Sequence, residues 1–406
     1  MKCRHCNAEV SLPFVDLGFA PPSNAYLTVD RLDAPELTFP LKVMVCEKCW
    51  LVQTKDFARA DELFDAEYAY FSSTSKGWLD HAKRFAEMAI KRFELGAQSH
   101  VVEIASNDGY LLRNFVEAKI PCLGVEPTKS TSLAAEKLGI PQCRAFFGEA
   151  LAKTLRDEHG AADLMVANNV LAHVPDINDF CYGFKTLLKP KGVVSFEFPH
   201  LMNLIAQNQF DTIYHEHFSY LSLSAVSTIL SRAGLEVFDV ESIPTHGGSL
   251  RVFASHKGAF SVSANVAAML RSETDFGLNS ATPYLTFQAK AEAVKNGLLH
   301  FLLDAKAEGK SVAAYGAAAK GNTLLNFAGV GPDLIKFVCD AAPSKQHKFL
   351  PGSHIPILPP SVLENNRPDI LLILPWNIAT EVAAQNQSLR TAGTEFFVAV
   401  PEMRMV

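Results

Sequence analysis

The chain has 406 residues, more than one hydrophobic core ordinarily organises, so two or three domains are expected. Hydrophobic residues make up 48% and charged residues 20%, the balance of an ordinary globular protein, and the formal net charge is -6 with no long Lys/Arg run. A nucleic-acid partner therefore lacks its basic footprint, and no apolar stretch is long enough to span a bilayer. The start, Met1-Lys2-Cys3-Arg4-His5-Cys6, has no apolar run of the signal-peptide kind. Eight cysteines without an export signal are expected to stay reduced, in the cytoplasm.

Along the chain, roughly the first seventy residues are punctuated by Pro and Cys and show no sustained helical period. From about residue 78 to 256, apolar β-type runs alternate with helical patterns. His100–Ile104, Cys122–Glu126, Asp163–Ala167 and Gly192–Phe198 read as buried strands, with helices around 110–116 and 133–138. That alternation predicts right-handed crossovers and a parallel sheet. Leu235–Val240 and Ser249–Ala254, with Gly247-Gly248 between them, read as a closing antiparallel pair. A long helical region then runs through Ala289–Lys310. A second strand–loop–helix unit follows at 311–323, with further strands at Leu334–Asp340, Ile370–Leu374 and Glu395–Val400.

Three constellations carry chemistry. Cys3-x-x-Cys6 and Cys46-x-x-Cys49 are two pairs able to bite one tetrahedral ion; four thiolates close the shell, so the zinc is read as structural. A redox pair needs a low-pKa thiol beside a helix start, which nothing here supplies. Cys122, Cys143, Cys181 and Cys339 sit in apolar runs and read as core residues.

The second constellation is Glu103-Ile104-Ala105-Ser106-Asn107-Asp108-Gly109, at the turn from the first strand into its helix. Backbone N–H groups and a positive helix end face a ligand there. Gly109 is the one glycine, with Ala105 and Asn107 at the other two tight places; Asn tolerates left-handed geometry. Glu126 ends the next strand, where a carboxylate can take both hydroxyls of a ribose. Missing glycines argue against a pyrophosphate, so adenosyl-sulfonium binding is favoured over a dinucleotide.

The third is the stretch Tyr214-His215-Glu216-His217, beyond the strand ending at Pro199, joined by His173 after the Asp163–Ala167 strand. Ligands of open α/β sheets bind beyond the carboxyl ends of the strands, and Tyr, Glu and His on one rim make a proton-transfer set. His-Glu-His lacks the His-Glu-x-x-His spacing of a metal helix. His200 and His246 are open to a purely structural role.

Together with Thr245-His246-Gly247-Gly248-Ser249-Leu250-Arg251, these residues resemble the zinc-containing C-methyltransferases of deoxysugar biosynthesis, whose best-known type makes 3-C-methyl sugars; the resemblance covers essentially the whole chain. It implies an α/β protein with a class I methyltransferase Rossmann-like sheet in residues 71–257. A zinc-binding domain at 1–70 and a second Rossmann-like α/β domain at 258–406 flank that sheet.

By the same resemblance S-adenosylmethionine is the methyl donor, held by Glu103, Ala105, Ser106, Asn107, Asp108, Gly109, Glu126 and Asn168. A nucleotide-linked 4-keto sugar, usually dTDP-linked, is the acceptor. His217 is then the base, Tyr214 the donor to the enolate oxygen, Glu216 and His173 the orienting pair. Tyr70, in the lid-like segment Glu67–Ser73, contacts sugar or methyl donor. Tyr315, Lys320, Asn322, Lys345 and Trp376 hold the nucleotide end. Ala105 departs from the family, which has Gly there. An isomerase using the same enolate, and a non-catalytic binding module, remain the competing readings.

Overall fold

The computed structural model describes residues 1–56 and 71–406. Three sheets organise it. The opening of the chain forms strands β1 (Leu12–Ala20), β2 (Phe39–Val45) and β3 (Val52–Thr54). The helix Lys76–Arg92 leads into the middle sheet: β4 (Val101–Ile104), β5 (Cys122–Val125), β6 (Gln142–Cys143), β7 (Ala162–Asn168) and β8 (Leu188–Pro199). The short β9 (Ser219–Tyr220) follows, then β10 (Leu235–Ile243) and β11 (Ser249–His256). The last unit carries β12 (Val312–Tyr315), β13 (Val338–Cys339), β14 (Ile357–Leu358), β15 (Ile370–Ile373), β16 (Glu395–Val398) and β17 (Arg404–Met405).

The middle sheet has the order β10-β11-β8-β7-β4-β5-β6. Its β4, β5, β6, β7 and β8 pair in parallel, and β10 and β11 close one edge antiparallel. β4 is buried at all four positions, as a strand covered by helices on both faces must be. The strand order reverses between β4 and β7, so a crevice opens beyond their carboxyl ends. The last unit repeats the plan with the order β14-β13-β12-β15-β16-β17, parallel except for β17.

Differences from expectation have local causes. The opening segment, which shows no period, is an antiparallel sheet of order β1-β2-β3-β9. β1 conceals its alternation because its register slips between Pro13 and Val15 and again between Asp16 and Phe19, with Gly18 at φ 76°. The strand expected over Leu334–Asp340 shrinks to Val338–Cys339, since the N–H groups of Leu334 and Ile335 turn back to Gly331 O at 3.1 Å. The long helical region divides into Ala264–Phe276 and Phe287–Ala307, the first ended by Gly277 in the left-handed conformation.

The cores tie these units together. Phe14 of β1 stacks on Phe287 (centroids 4.4 Å apart) and meets Tyr284 edge-on, inside one cluster that runs from the opening sheet into the C-terminal unit. Cys3 and Cys46 instead pack in the cluster lining one face of the middle sheet. The opening segment thus bridges the other two units. Phe14→Ala is expected to cost about 3–5 kcal/mol, read from denaturant unfolding; a loss below about 1 kcal/mol would show that the bridge is not a packed core.

Candidate active site and metal centre

The four sulfur atoms of Cys3, Cys6, Cys46 and Cys49 lie within 4.8 Å of one another. Cys3 Sγ is 3.6 Å from Cys49 Sγ, and Cys6 Sγ is 3.5 Å from Cys46 Sγ. A tetrahedron with metal–sulfur bonds of about 2.3 Å has edges of about 3.8 Å, so the set fits a zinc ion. The two pairs sit in similar turns. Cys3 O accepts from Asn7 N and Cys46 O from Trp50 N, and both Asn7 and Trp50, each following the second cysteine of its pair, take positive φ. Gln53 Nε2 donates to Cys3 Sγ at 3.3 Å. Neighbouring Cys49, with the backbone N–H groups of Cys6 and His5 and the Gln53 amide, holds the Cys3 thiol below its ordinary value against burial. These thiols are a cage.

At the end of β4 the chain takes positive φ at Ala105 (53°), Asn107 (49°) and Gly109 (80°), the three places where tight geometry was expected. Ala105 therefore adopts a conformation that disfavours a side chain by roughly 1–2 kcal/mol. A side chain at Gly109 would meet Ile140 Cδ1 at 2.4 Å. Glu126 braces the loop from the end of β5: Oε2 accepts from Asn107 N at 2.9 Å and Oε1 from Thr128 N at 2.8 Å. Ser106 Oγ donates to Gln142 Oε1 at 3.0 Å. The turn after residue 70 docks on the same loop, Ser72 N donating to Asn107 Oδ1 and Ser73 N to Asp108 Oδ2, both at 3.0 Å. Tyr70 itself lies outside the described residues.

Several polar atoms in this crevice are buried without a partner among the described residues: Glu103 Oε2, Asp108 Oδ1, Asn168 Oδ1 and both amide atoms of Asn169. Burial, then the charges of Asp108 and Glu126, push the Glu103 carboxyl well above its ordinary value. Orphaned acceptors cost about 1–3 kcal/mol each unless a ligand satisfies them. A ligand with a positive sulfur, an ammonium group and ribose hydroxyls answers that demand, so these residues fit S-adenosylmethionine.

Beyond β7 and β8, the 3-10 turn Phe210–Thr212 leads into the loop that carries Tyr214, His215, Glu216 and His217. The loop is tied at its far end: Phe218 N donates to Ala172 O at 2.8 Å, and Thr54 N to Phe218 O at 3.1 Å, before β9 joins β3. His217 Nδ1 lies 2.9 Å from Thr212 O, which as an acceptor fixes the proton on Nδ1 and leaves the lone pair on Nε2. Its ring meets His173 edge-on at 4.6 Å and lies 3.9 Å from the Tyr214 ring. Burial first, then His173, hold His217 well below its ordinary value; His246 and Lys320 act in the same sense. Burial alone carries His173 down to about 4. Both imidazoles are neutral near pH 7.

Glu216 is 2% exposed, and both of its oxygens accept from Asn24 Nδ2, at 2.9 and 2.8 Å. Asn24 was not legible in advance, because no motif marks the loop that carries it. That loop is pinned to the C-terminal unit, with Tyr26 Oη donating to Ala317 O at 2.6 Å and Asn322 Nδ2 to Ser23 O at 3.0 Å. His246 also faces the set: it takes φ 55°, lies 5.3 Å from the Trp78 ring and contributes to the depression of His217. His200 is structural, bonded at 2.8 Å to Glu273, which also caps the helix Leu223–Arg232 through Leu223 N and Ser224 N. His215 turns away to Phe39 O at 3.2 Å.

The C-terminal residues separate into two groups. Lys320 and Trp376 come to the rim. Lys320 Nζ donates to Asn377 Oδ1 at 2.7 Å and lies 4.9 Å over the Trp376 ring. Tyr315, Asn322 and Lys345 are engaged within the frame. Tyr315 packs in the core of its own sheet, Asn322 is buried, and Lys345 donates to Ala317 O at 2.9 Å with Asp340 Oδ2 3.5 Å away.

Two outcomes follow for stability. Burial lifts Glu216 from 4.5 to about 7, against the Asn24 bond. The folded state thus holds that proton where the unfolded chain releases it, and stability is lost as pH rises from about 4.5 to 7. Glu216→Gln is expected to unfold later than wild type by about 3 kcal/mol at pH 8 and equally at pH 4.5; a difference that does not vary with pH would refute the assignment. The chain should carry about one zinc ion, and chelation should lower the melting temperature. Metal-free protein with an unchanged transition would exclude the cage.

Three family models match in succession: "Putative zinc binding domain" over residues 3–64, "Methyltransferase domain" over 78–240 and "C-methyltransferase C-terminal domain" over 244–401. The C-methyltransferase NovU of Streptomyces niveus is 35% identical over 406 residues, which is 100% of this chain and 96% of that protein. Among solved structures, magnesium protoporphyrin IX methyltransferase of Synechocystis PCC 6803 with bound SAM is 13% identical, covering 45% of this chain and 80% of its own, with a TM-score of 0.35. A SAM-dependent methyltransferase of Clostridium acetobutylicum is 12% identical, covering 44% and 92%, with a TM-score of 0.37. The sheet order, the cysteine cage and the full-length likeness to NovU converge: the chain belongs to the S-adenosylmethionine-dependent C-methyltransferases that carry an N-terminal zinc-binding domain.

Proposed function

We propose that the acceptor is a nucleotide-linked 4-keto-deoxysugar, dTDP-linked, methylated at C3 through an enolate. Residues 1–70, 71–257 and 258–406 then serve zinc binding, methyl-donor binding and nucleotide-sugar binding. The observation that carries this reading is His217, a neutral imidazole with one tautomer fixed by Thr212 O, beside Tyr214 and His173. A ketone at C4 acidifies the C3–H bond because the electron pair left behind delocalises onto O4. Nε2 of His217 takes that proton. The Tyr214 hydroxyl donates to O4 as its charge grows. Glu216, steadied by Asn24, and His173 orient the ring. When bound, S-adenosylmethionine supplies an electrophilic methyl group on a positive sulfur, the destination of the C3 electron pair.

Lys320 is a cation of the C-terminal unit whose charge reaches the imidazoles of His217 and His246, and we assign it to the anionic part of the substrate. Tyr70 is assigned to contact with sugar or methyl donor. We assign the chain to the cytoplasm, a reducing compartment in which the four cage thiolates and the four remaining cysteines stay reduced. Among the described residues, no helix is long and apolar enough to cross a membrane.

Incubation in heavy water with a dTDP-4-keto-deoxysugar, with and without methyl donor, tests the reading. Wild type is expected to add one methyl at C3. His217→Ala is expected to lose about 10²- to 10⁴-fold in kcat while S-adenosylhomocysteine binds as before. Deuterium at C3 without methyl gain would make the protein an isomerase; neither exchange nor methylation would remove the sugar from consideration.

A further inference from the structure

The C-terminal unit reaches past the substrate cleft and grips the turn that orients His217. Trp376 Nε1 donates to Asp211 Oδ2 at 2.7 Å, and Thr323 Oγ1 donates to Ile213 O at 2.8 Å. Asp211 and Ile213 are the two chain neighbours of Thr212, whose carbonyl holds His217 Nδ1 at 2.9 Å. Both acceptors are buried: Asp211 and Ile213 are each 0% exposed. Trp376 is itself wedged, since a side chain at Gly247 would meet its ring at 2.4 Å. The indole therefore has little room to tilt, and its N–H points at one oxygen.

We propose that Trp376 and Thr323 are positioning residues. By clamping the peptide on either side of Thr212 they aim its carbonyl at Nδ1, so that docking of the C-terminal unit selects the His217 tautomer competent as a base. The inference rests on the reading of His217 as the base, but the clamp is a statement about geometry and is measurable without substrate. The other Asp211 oxygen has no hydrogen-bond partner among the described residues, so the charge of Lys320 and then the indole N–H are what offset its burial. Burial pushes this carboxyl up to about 6 even with that bond in place. Removing the indole N–H leaves a buried carboxyl that relaxes by moving, and Thr212 moves with it. A displacement of about 1 Å at a catalytic group is enough to cost on the order of 10²-fold in rate.

The test uses the full-length chain labelled with 15N-histidine. In wild type, His217 should show one neutral tautomer with the proton on Nδ1. Trp376→Phe keeps an aromatic ring without its N–H, and Thr323→Val keeps the shape without the hydroxyl. Each should lower kcat about 10-fold, and the pair about 100-fold, with KM for the methyl donor unchanged. The double variant should show mixed tautomers at His217. Asp211→Asn retains an acceptor for the indole and should keep the wild-type tautomer. S-adenosylhomocysteine binding by each variant establishes that it is folded. A double variant that keeps the single Nδ1–H tautomer overturns the clamp, whatever its activity. If the tautomer shifts as expected while no 4-keto sugar is turned over by wild type, the clamp stands and the substrate reading fails.

Discussion

One carbonyl decides what the imidazole of His217 is. By accepting from Nδ1, Thr212 O places the lone pair on the other ring nitrogen, and burial among His173, Tyr214 and His246 keeps that lone pair unprotonated near neutral pH. The rest of the molecule reads as support for this bond. β9 stitches the loop to the opening sheet, Ala172 holds it to the turn after β7, and the C-terminal unit holds it from the far side. The bond gives the imidazole a fixed orientation and a single tautomer.

The methyl-donor crevice is built on the opposite principle. Where the His217 imidazole is satisfied and locked, the ends of β4 and β7 hold polar atoms left unsatisfied among the described residues, and burial together with the two carboxyl groups of Asp108 and Glu126 raises the pKa of Glu103. Such a site is unstable by itself and gains by taking up a cation. The loop pays for its shape with Ala105 in left-handed geometry, and, two residues on, Glu126 pins the Asn107 amide.

Much of this was legible in the sequence, for identifiable reasons. The parallel strands announce themselves as short apolar runs because both of their faces are covered. Paired cysteines at spacing three name their ligand by valence. The proton-transfer loop stood out because four functional groups are crowded into Tyr214–His217. What stayed hidden was everything set by contacts between distant segments. Asn24 sits in a loop without a motif, yet it is the partner of Glu216. Residues 219–220 are too short to read as a strand until β3 lies alongside. Trp376 and Lys320 belong to the C-terminal unit by sequence, and it is the packing of that unit on Gly247 that brings them to the rim. Periodicity reports which side of an element is buried; it carries no information about which neighbour does the burying.

The cluster shared by Phe14, Tyr284 and Phe287 has a consequence for synthesis. It joins residues from the first fifty of the chain to residues beyond 278, across the whole middle sheet. On the ribosome, β1 and β2 emerge long before Tyr284 and Phe287 exist, and that part of their apolar face waits while some two hundred and thirty residues are added. The middle sheet, whose strands find one another within a single stretch of chain, has no such delay. Biogenesis therefore runs from the centre outward, and the nascent amino terminus is the segment most in need of a chaperone.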